Sequence, residues 1–487
     1  MEHAALQAIE ETLDPQDWNR IRQLGHQMVD DMMSYLETVR ERPAWSQPSD
    51  QAIDSMNKPL PLHPQAAEGI YDEFVTQVLP FNCNNIHPRF WSWVQGCGTP
   101  TGMLADMLAS GMNANVSLGN HMPMYVERQV LDWSKALFDF PQSAGGILTS
   151  GASLANLTAL IVARNQVSDK IKSGGLYSFE KRLLVYGSSE THNCVIKAIE
   201  AIGVGGENFR AVPVDEHYRI RIDGLKKMIA EDRSAGHLPF CIIGNAGTVN
   251  TGAIDDLDGL TQIAKAEKLW LHVDGAFGAI PKILPEWAAT FKGIEGADSL
   301  AFDFHKWFCM NYEVGCVLIR DPEVYRQSFS VPANYLTHHE RGLSAGPESF
   351  FSFGLELSRG FKALKVWMLL KEHGLEQYKR LIRQNLNQAR YLGSLVDREQ
   401  HLELLCEVSL NIVCYRFIAR KTSTEELNRI NKEILMRLQE EGIAAPSYTL
   451  LNGVYAIRVA ICNHRSKTED FDLLVQASVR IGKELTM

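Results

Sequence analysis

Between residues 17 and 39 the apolar side chains of Ile21, Leu24, Met28, Met32 and Leu36 recur at helical spacing. The pattern predicts an amphipathic helix that cannot bury its own stripe and must pack on the body of the protein or on a second subunit. The following text, ERPAWSQPSDQAIDSMNKPLPLHP, is rich in proline and polar residues and reads as a linker. From residue 87 to 374 the pattern changes to short β-like runs, RLLVYGS, FCIIGNAG, LWLHVDGA, DSLAFDFH and GCVLIRD, with helix-like stretches between most of them. That alternation implies a largely parallel sheet covered on both faces. Further on, FKALKVWMLLKEHG and LEQYKRLIRQNLNQARYL are helical in pattern, while LNIVCYRF and YAIRVAIC read as strands among further helices. The expected organisation is a helical arm and linker over 1–86, a large α/β domain over 87–375 and a small C-terminal α+β domain over 376–487, with no internal repeat.

Composition narrows the function classes. The 487 residues are 45% hydrophobic and 22% charged, as in an ordinary globular protein. A net charge of -10 provides no basic footprint for nucleic acid or an anionic membrane. Nine cysteines stand singly, without CxxC pairs or zinc-like spacing, so neither a disulfide framework nor a metal site is expected and a reducing cytoplasm fits. The N-terminal text is acidic and polar, unlike a signal peptide, and no apolar stretch approaches the ~20 residues of a membrane span.

Four polar residues each lie just past a β-like run: His192 after RLLVYGSSET, Thr248 after CIIGNAG, Asp274 after LWLHV and Lys306 after LAFDFH. Open α/β sheets bind ligands outside the carboxyl ends of their strands, so separate runs deliver these side chains to one crevice. Partial desolvation lowers a lysine pKa, and Lys306 so placed becomes a nucleophile toward an aldehyde, although a strand-end lysine also reads as a snorkelling side chain. Asp274 requires a cationic partner; a protonated pyridine nitrogen is one, and capping the next turn is another use of the same carboxylate. In TSGASLANLTALIVAR, Gly151, Ala152 and Ser153 precede a helical run, a turn suited to a phosphate. His192 suits stacking on a ring or a satisfied loop position, and His305, alternating to the opposite side of the strand from Lys306, suits a phosphate contact.

The order of these features, with HPRFW, PMYVERQVLDW, ETH, NAGTVNTGAIDDL, HVDGAFG, SLAFDFHKWF and LSRGFKALKVW, resembles the group II pyridoxal-phosphate decarboxylases over nearly the whole chain. Ser299, Leu300, Lys306, Trp307 and Phe308 match that family's cofactor-lysine signature. The resemblance implies a type I (aspartate aminotransferase-like) fold with a mainly parallel seven-stranded sheet. It also implies a homodimer whose sites are completed across the interface, and decarboxylation of an amino acid on pyridoxal 5'-phosphate held as a Schiff base at Lys306. Asn245, Thr248, Ala276 and Asp303 become implied cofactor contacts, and Ser358 the residue that reaches a partner's phosphate. Phe90, Trp91, Trp93 and Gln95 are implied pocket residues, suited to an aromatic or apolar substrate, with Arg89 available to an acidic one.

One departure bears on the product. Counting back from LSRGFKALKVW places Phe350 or Phe351 where aromatic-acid members carry a loop tyrosine that donates a proton, and a phenyl ring has none to give. Either Tyr335, His338, His339 or His192 protonates, or oxygen reacts and an aldehyde forms instead of the amine. Decarboxylation of an acidic or other non-aromatic amino acid, transamination or another lyase reaction of the same fold, and an inactive scaffold are the other readings.

Overall fold

The computed structural model describes residues 11–330 and 339–486. Helix α1 (Trp18–Glu37) forms the arm, its N-terminus capped by the Asp17 carboxylate, which accepts from the Asn19 and Arg20 amides. Its stripe is only partly covered within one chain: Leu24 is buried, while Trp18 and Ile21 are exposed. Past the arm, Arg40 donates to Asp470 at 2.8 Å, anchoring the N-terminal segment to the C-terminal part of the chain.

Two sheets follow. The small one has the strand order β1-β11-β12-β10-β9, built from β1 (Phe90–Trp91), β9 (Leu402–Leu404), β10 (Ile412–Phe417), β11 (Ala445–Leu451) and β12 (Val454–Ala460). Strand β1 lies at the head of the segment expected to form the large domain, yet it pairs in parallel with β11. The reason is packing: Trp91, fully buried, stacks on Phe471 at 5.0 Å in the small-domain core. The long helix Ala363–Arg398 links the two bodies and is interrupted at Gly374, which sits at φ 66°.

The large sheet has seven strands in the order β2-β8-β7-β6-β5-β3-β4: β2 (Gly145–Thr149), β3 (Leu183–Ser188), β4 (Phe209–Val212), β5 (Leu238–Asn245), β6 (Trp270–Asp274), β7 (Ser299–Asp303) and β8 (Gly315–Ile319). The pairs β3–β4, β3–β5, β5–β6 and β6–β7 are parallel, and β8 runs antiparallel to both its neighbours. Strands β3, β7 and β8 are buried along their whole length, which is why their texts lack inside–outside alternation. Among the described residues no helix is long and apolar enough to cross a membrane.

One buried ion pair fixes the sheet edge that carries the site. Glu127, on helix α2 (Met122–Leu137), meets the guanidinium of Arg359, and both are buried. Arg359 also donates to the carbonyls of Val116 and Leu148 at 2.7 and 2.8 Å, and the Leu148 amide donates to Glu127 at 3.3 Å. Two of the sequence motifs, PMYVERQVLDW and LSRGFKALKVW, thus meet on β2, the strand that leads into Gly151.

Candidate active site

The carboxyl edge of the large sheet opens into a cavity of about 520 Å³. Four of the parallel strands deliver residues there: β3 leads to His192, β5 ends at Asn245 and runs on to Thr248, β6 ends at Asp274 with Ala276 just beyond, and β7 ends at Asp303 before His305 and Lys306. Strand β2 leads to Gly151 and helix α3 (Ala152–Asn165), whose first turn, with Ser153, borders the cavity and has no capping side chain. Uncapped amides at a helix start suit an anion such as a phosphate. The packing there is tight: a Cβ at Gly315 would lie 2.5 Å from Asp303 Oδ1 and 2.6 Å from Gly151 Cα. On another wall a Cβ at Gly96 would lie 1.7 Å from the His305 carbonyl oxygen, so only glycine lets the Trp93–Gln95 segment press against the lysine turn.

The charges are arranged in pairs. Lys306 Nζ lies 3.1 Å from Asp303 Oδ2. Burial pulls the lysine down, but the Asp303 charge and hydrogen bond, joined by the Asp274 charge, outweigh it together and hold the ammonium above its usual range. The expectation of a lowered lysine pKa is therefore corrected: desolvation alone lacked the neighbouring carboxylate. Asp303 Oδ1 is buried without a hydrogen-bond partner, against the backbones of Gly315 and Gly151. Asp274 accepts from the Ala276 amide at 3.1 Å and from Asn156 Nδ2 at 2.9 Å.

His192 caps the following helix, its Nδ1 accepting from the Cys194 amide at 3.2 Å. Burial lowers its pKa against the pull of Asp274, so the ring is neutral and carries its proton on Nε2. Cys194 is pushed up to about 11, by burial first and Asp274 second, and stays a thiol. Asn245 donates to Asp255 at 2.9 Å and to Ser188 at 3.1 Å, tying the ends of β5 and β3 together; Thr248 spends its hydroxyl on Thr251 at 3.1 Å. Among the described residues no group of three or more His, Cys, Asp or Glu is placed to hold a metal ion.

Trp93 and Gln95 line the cavity as expected from sequence, with Trp93 exposed at its mouth. Phe90 and Trp91 do not. Both are buried toward the small domain, Phe90 against Ala44 and Ala445, because β1 pairs with β11 and turns its side chains into that core. Phe350 and Phe351 are not brought to the cavity either: Phe350 is closed between the guanidinium groups of Arg128 and Arg359, 5.2 and 5.1 Å from its ring centre, and Phe351 sits by Ser117. Ser358 is exposed and away from this chain's own cavity. His305 is on the same cavity as Lys306 rather than across the sheet from it, because β7 ends at Asp303 and alternation stops there. His339 is exposed and outside the lining, whereas Tyr335 and His338 lie outside the described residues.

Sequence reasoning missed Tyr312 and Glu313, which line the cavity beyond the lysine turn. Tyr312 packs against the His305 ring at 4.4 Å, and burial pushes its hydroxyl well above the usual range. No periodicity marks these two residues. Asn156 was also missed, though a lone amide on the apolar text LANLTALIV could have drawn attention.

The comparisons with known proteins agree with this geometry. The chain is 33% identical to an aromatic-L-amino-acid decarboxylase of Bacillus atrophaeus, with 96% of each chain covered. It is 29% identical to a phenylacetaldehyde synthase of Arabidopsis thaliana, covering 92% of this chain and 93% of that one. The structure of Oryza sativa TDC with PLP and tryptamine superimposes with a TM-score of 0.91 at 23% identity, over 98% of this chain and all of the other. Residues 49–418 match the pyridoxal-dependent decarboxylase conserved domain, and with the lysine, aspartate and phosphate-type helix start on one cavity the chain belongs to that family of carboxy-lyases, whose cofactor is pyridoxal phosphate.

Proposed function

We propose that this chain decarboxylates an L-amino acid with an aromatic or apolar side chain to its amine and carbon dioxide, using pyridoxal 5'-phosphate bound through Lys306. The observation that carries the reading is the convergence of Lys306, Asp274 and an uncapped helix start on one cavity whose mouth bears Trp93. Bound there, the cofactor supplies an electron sink for the bond to the departing carboxylate. Lys306 supplies the amine that holds its aldehyde, the first turn of α3 takes its phosphate, and Asp274 faces its pyridine nitrogen. Neutral His192 supplies a ring face to stack on and an Nε2 proton for an incoming carboxylate. Tyr312, whose hydroxyl stays protonated, holds the proton that replaces carbon dioxide, a role the buried Phe350 cannot fill.

We also propose a homodimer. Leu355 and Leu357, just before the exposed Ser358, and Met107, Leu108 and Met112 are large apolar side chains left open on one chain, as an obligate interface requires. The nine free cysteines suit a reducing, cytoplasmic setting.

The test is to incubate the holoenzyme with a panel of L-amino acids and quantify carbon dioxide, amine, aldehyde and peroxide. Amine matching carbon dioxide, with an aromatic or apolar amino acid the best substrate, supports the reading. Peroxide and aldehyde matching carbon dioxide overturn it in favour of the oxidative reaction, which the likeness to an aldehyde synthase keeps as the second reading.

A further inference from the structure

Trp270, His272 and Asp274 alternate along β6 and therefore share one face of the sheet, the face that α3 covers. Across the parallel pair, His272 stands in register with Ser299, the first residue of the lysine signature on β7. Neither that serine nor the histidine of HVDGAFG touches the cavity, and both are fully buried.

The hydrogen bonds join these residues in one line. Trp270 Nε1 donates to Ser299 Oγ at 2.8 Å, and Ser299 Oγ lies 2.8 Å from His272 Nδ1. His272 Nε2 lies 2.8 Å from Asn156 Oδ1, and Asn156 Nδ2 donates to Asp274 Oδ2 at 2.9 Å. The inventory of donors fixes the direction throughout. A carboxylate can only accept, so Asn156 presents its amide nitrogen to Asp274 and its Oδ1 to His272. The neutral imidazole therefore donates from Nε2, and its bare Nδ1 accepts the proton of Ser299, whose oxygen in turn accepts from the Trp270 indole. Every donor in the line points toward Asp274.

We propose that Ser299, His272 and Asn156 form a positioning relay that holds Asp274 ionised and aimed at the cofactor's pyridine nitrogen; this rests on the reading that Asp274 meets that nitrogen. A buried carboxylate without donors takes up a proton, and a protonated Asp274 cannot keep a pyridine nitrogen charged. A chain of polarised bonds ending on one oxygen opposes this, and the Ala276 amide serves the other oxygen. Burial lowers His272 to about 4, so the ring stays neutral and no second positive charge competes with the pyridine. The serine of the signature and the histidine two residues before the aspartate thus acquire a shared role, with the amide of a third element closing the line.

The test uses the protein reconstituted with pyridoxal phosphate carrying ¹⁵N in its ring, and reads the nitrogen chemical shift and the cofactor dissociation constant rather than turnover. In the unsubstituted protein the shift reports a protonated nitrogen. His272→Phe, which has no donor for Asn156, moves the shift toward the unprotonated value and weakens cofactor binding by about tenfold to a hundredfold, the effect of losing a hydrogen bond that serves a charged group. His272→Gln, whose side-chain amide can donate to Asn156, recovers most of both. Ser299→Ala moves the shift in the same direction by a smaller amount and keeps the test alive if His272→Phe does not fold. Asp274→Asn is the reference: if it leaves the shift unchanged, the placement of Asp274 at the nitrogen is wrong. If Asp274→Asn moves the shift while His272→Phe and Ser299→Ala do not, the relay is overturned and the placement stands.

Discussion

Replacing Arg359 by methionine keeps most of the side-chain volume and takes away the one cation in ion-pair contact with Glu127 among the described residues. Glu127 is fully buried, its Oε2 has no hydrogen-bond partner, and Arg359 and the Leu148 amide are the donors to its Oε1. Removing one member of a buried pair strands the other, at a cost of about 3–5 kcal/mol. For 487 residues at about 2.1 cal/mol/K each, the unfolding entropy is about 1 kcal/mol/K, so the thermal midpoint should fall by about 3–5 °C. The loss also depends on pH. Burial holds the Glu127 carboxyl above its usual range, and Arg359 is the chief force opposing that rise. An acid raised on folding binds its proton more tightly in the folded chain, so its contribution to stability is greatest at low pH and falls as pH climbs from the unfolded to the folded pKa. Without Arg359 that window widens upward, and the deficit of the variant should be larger at about pH 8 than at about pH 5. Adding Glu127→Gln removes the stranded charge and should recover the greater part of the loss. Calorimetry of the two variants at both pH values is the assay. A midpoint that moves by less than about 1 °C, or a deficit that is the same at both pH values, refutes the assignment of this pair as the clamp on β2.

Four further outcomes follow from the site. Lys306→Ala should leave no visible cofactor absorbance and no turnover; a yellow, active variant would remove the lysine from the chemistry. Asp303→Asn should move the pH dependence of cofactor capture by the apo-protein to lower pH, because the amine reacts only when unprotonated and Asp303 is the chief group that holds Lys306 above its usual range; stopped-flow absorbance measures it, and an unmoved midpoint contradicts the pair. Tyr312→Phe should lower kcat by about a hundredfold or more, the ordinary size of a general-acid contribution, and raise aldehyde and peroxide relative to amine; an unchanged partition excludes Tyr312 as the proton source. Trp93→Ala should change KM and the ranking of amino acids by about tenfold, on the scale of taking one aromatic ring away from a pocket mouth, while cofactor affinity stays within a factor of about two; equal loss across all substrates would place Trp93 in folding rather than selection.

What the amino-acid sequence determined by itself was five of the seven strands of the large sheet, all but β2 and β4, and the identity of the residues at its carboxyl edge. Continuous apolar runs mark strands buried on both faces, and a polar residue just past such a run has little choice but to emerge at the edge, so Lys306, Asp274, His192 and the turn at Gly151 were legible from local text. Properties that depend on how the chain turns back on itself, or on residues far apart in it, were not. The Lys306 ammonium is raised rather than lowered because a carboxylate three positions away turns back toward it once β7 ends. Phe90 and Trp91 leave the pocket because two residues of strand pair with β11, more than three hundred positions later. Phe350 is held away from this chain's own cavity by Arg128 and Arg359, which reach it from separate elements. The relay behind Asp274 requires β6, β7 and α3 to be stacked before its four hydrogen bonds exist. Local pattern determines which face of an element is buried, through the periods of strand and helix; which charge or ring lies against that face is decided only when distant elements pack.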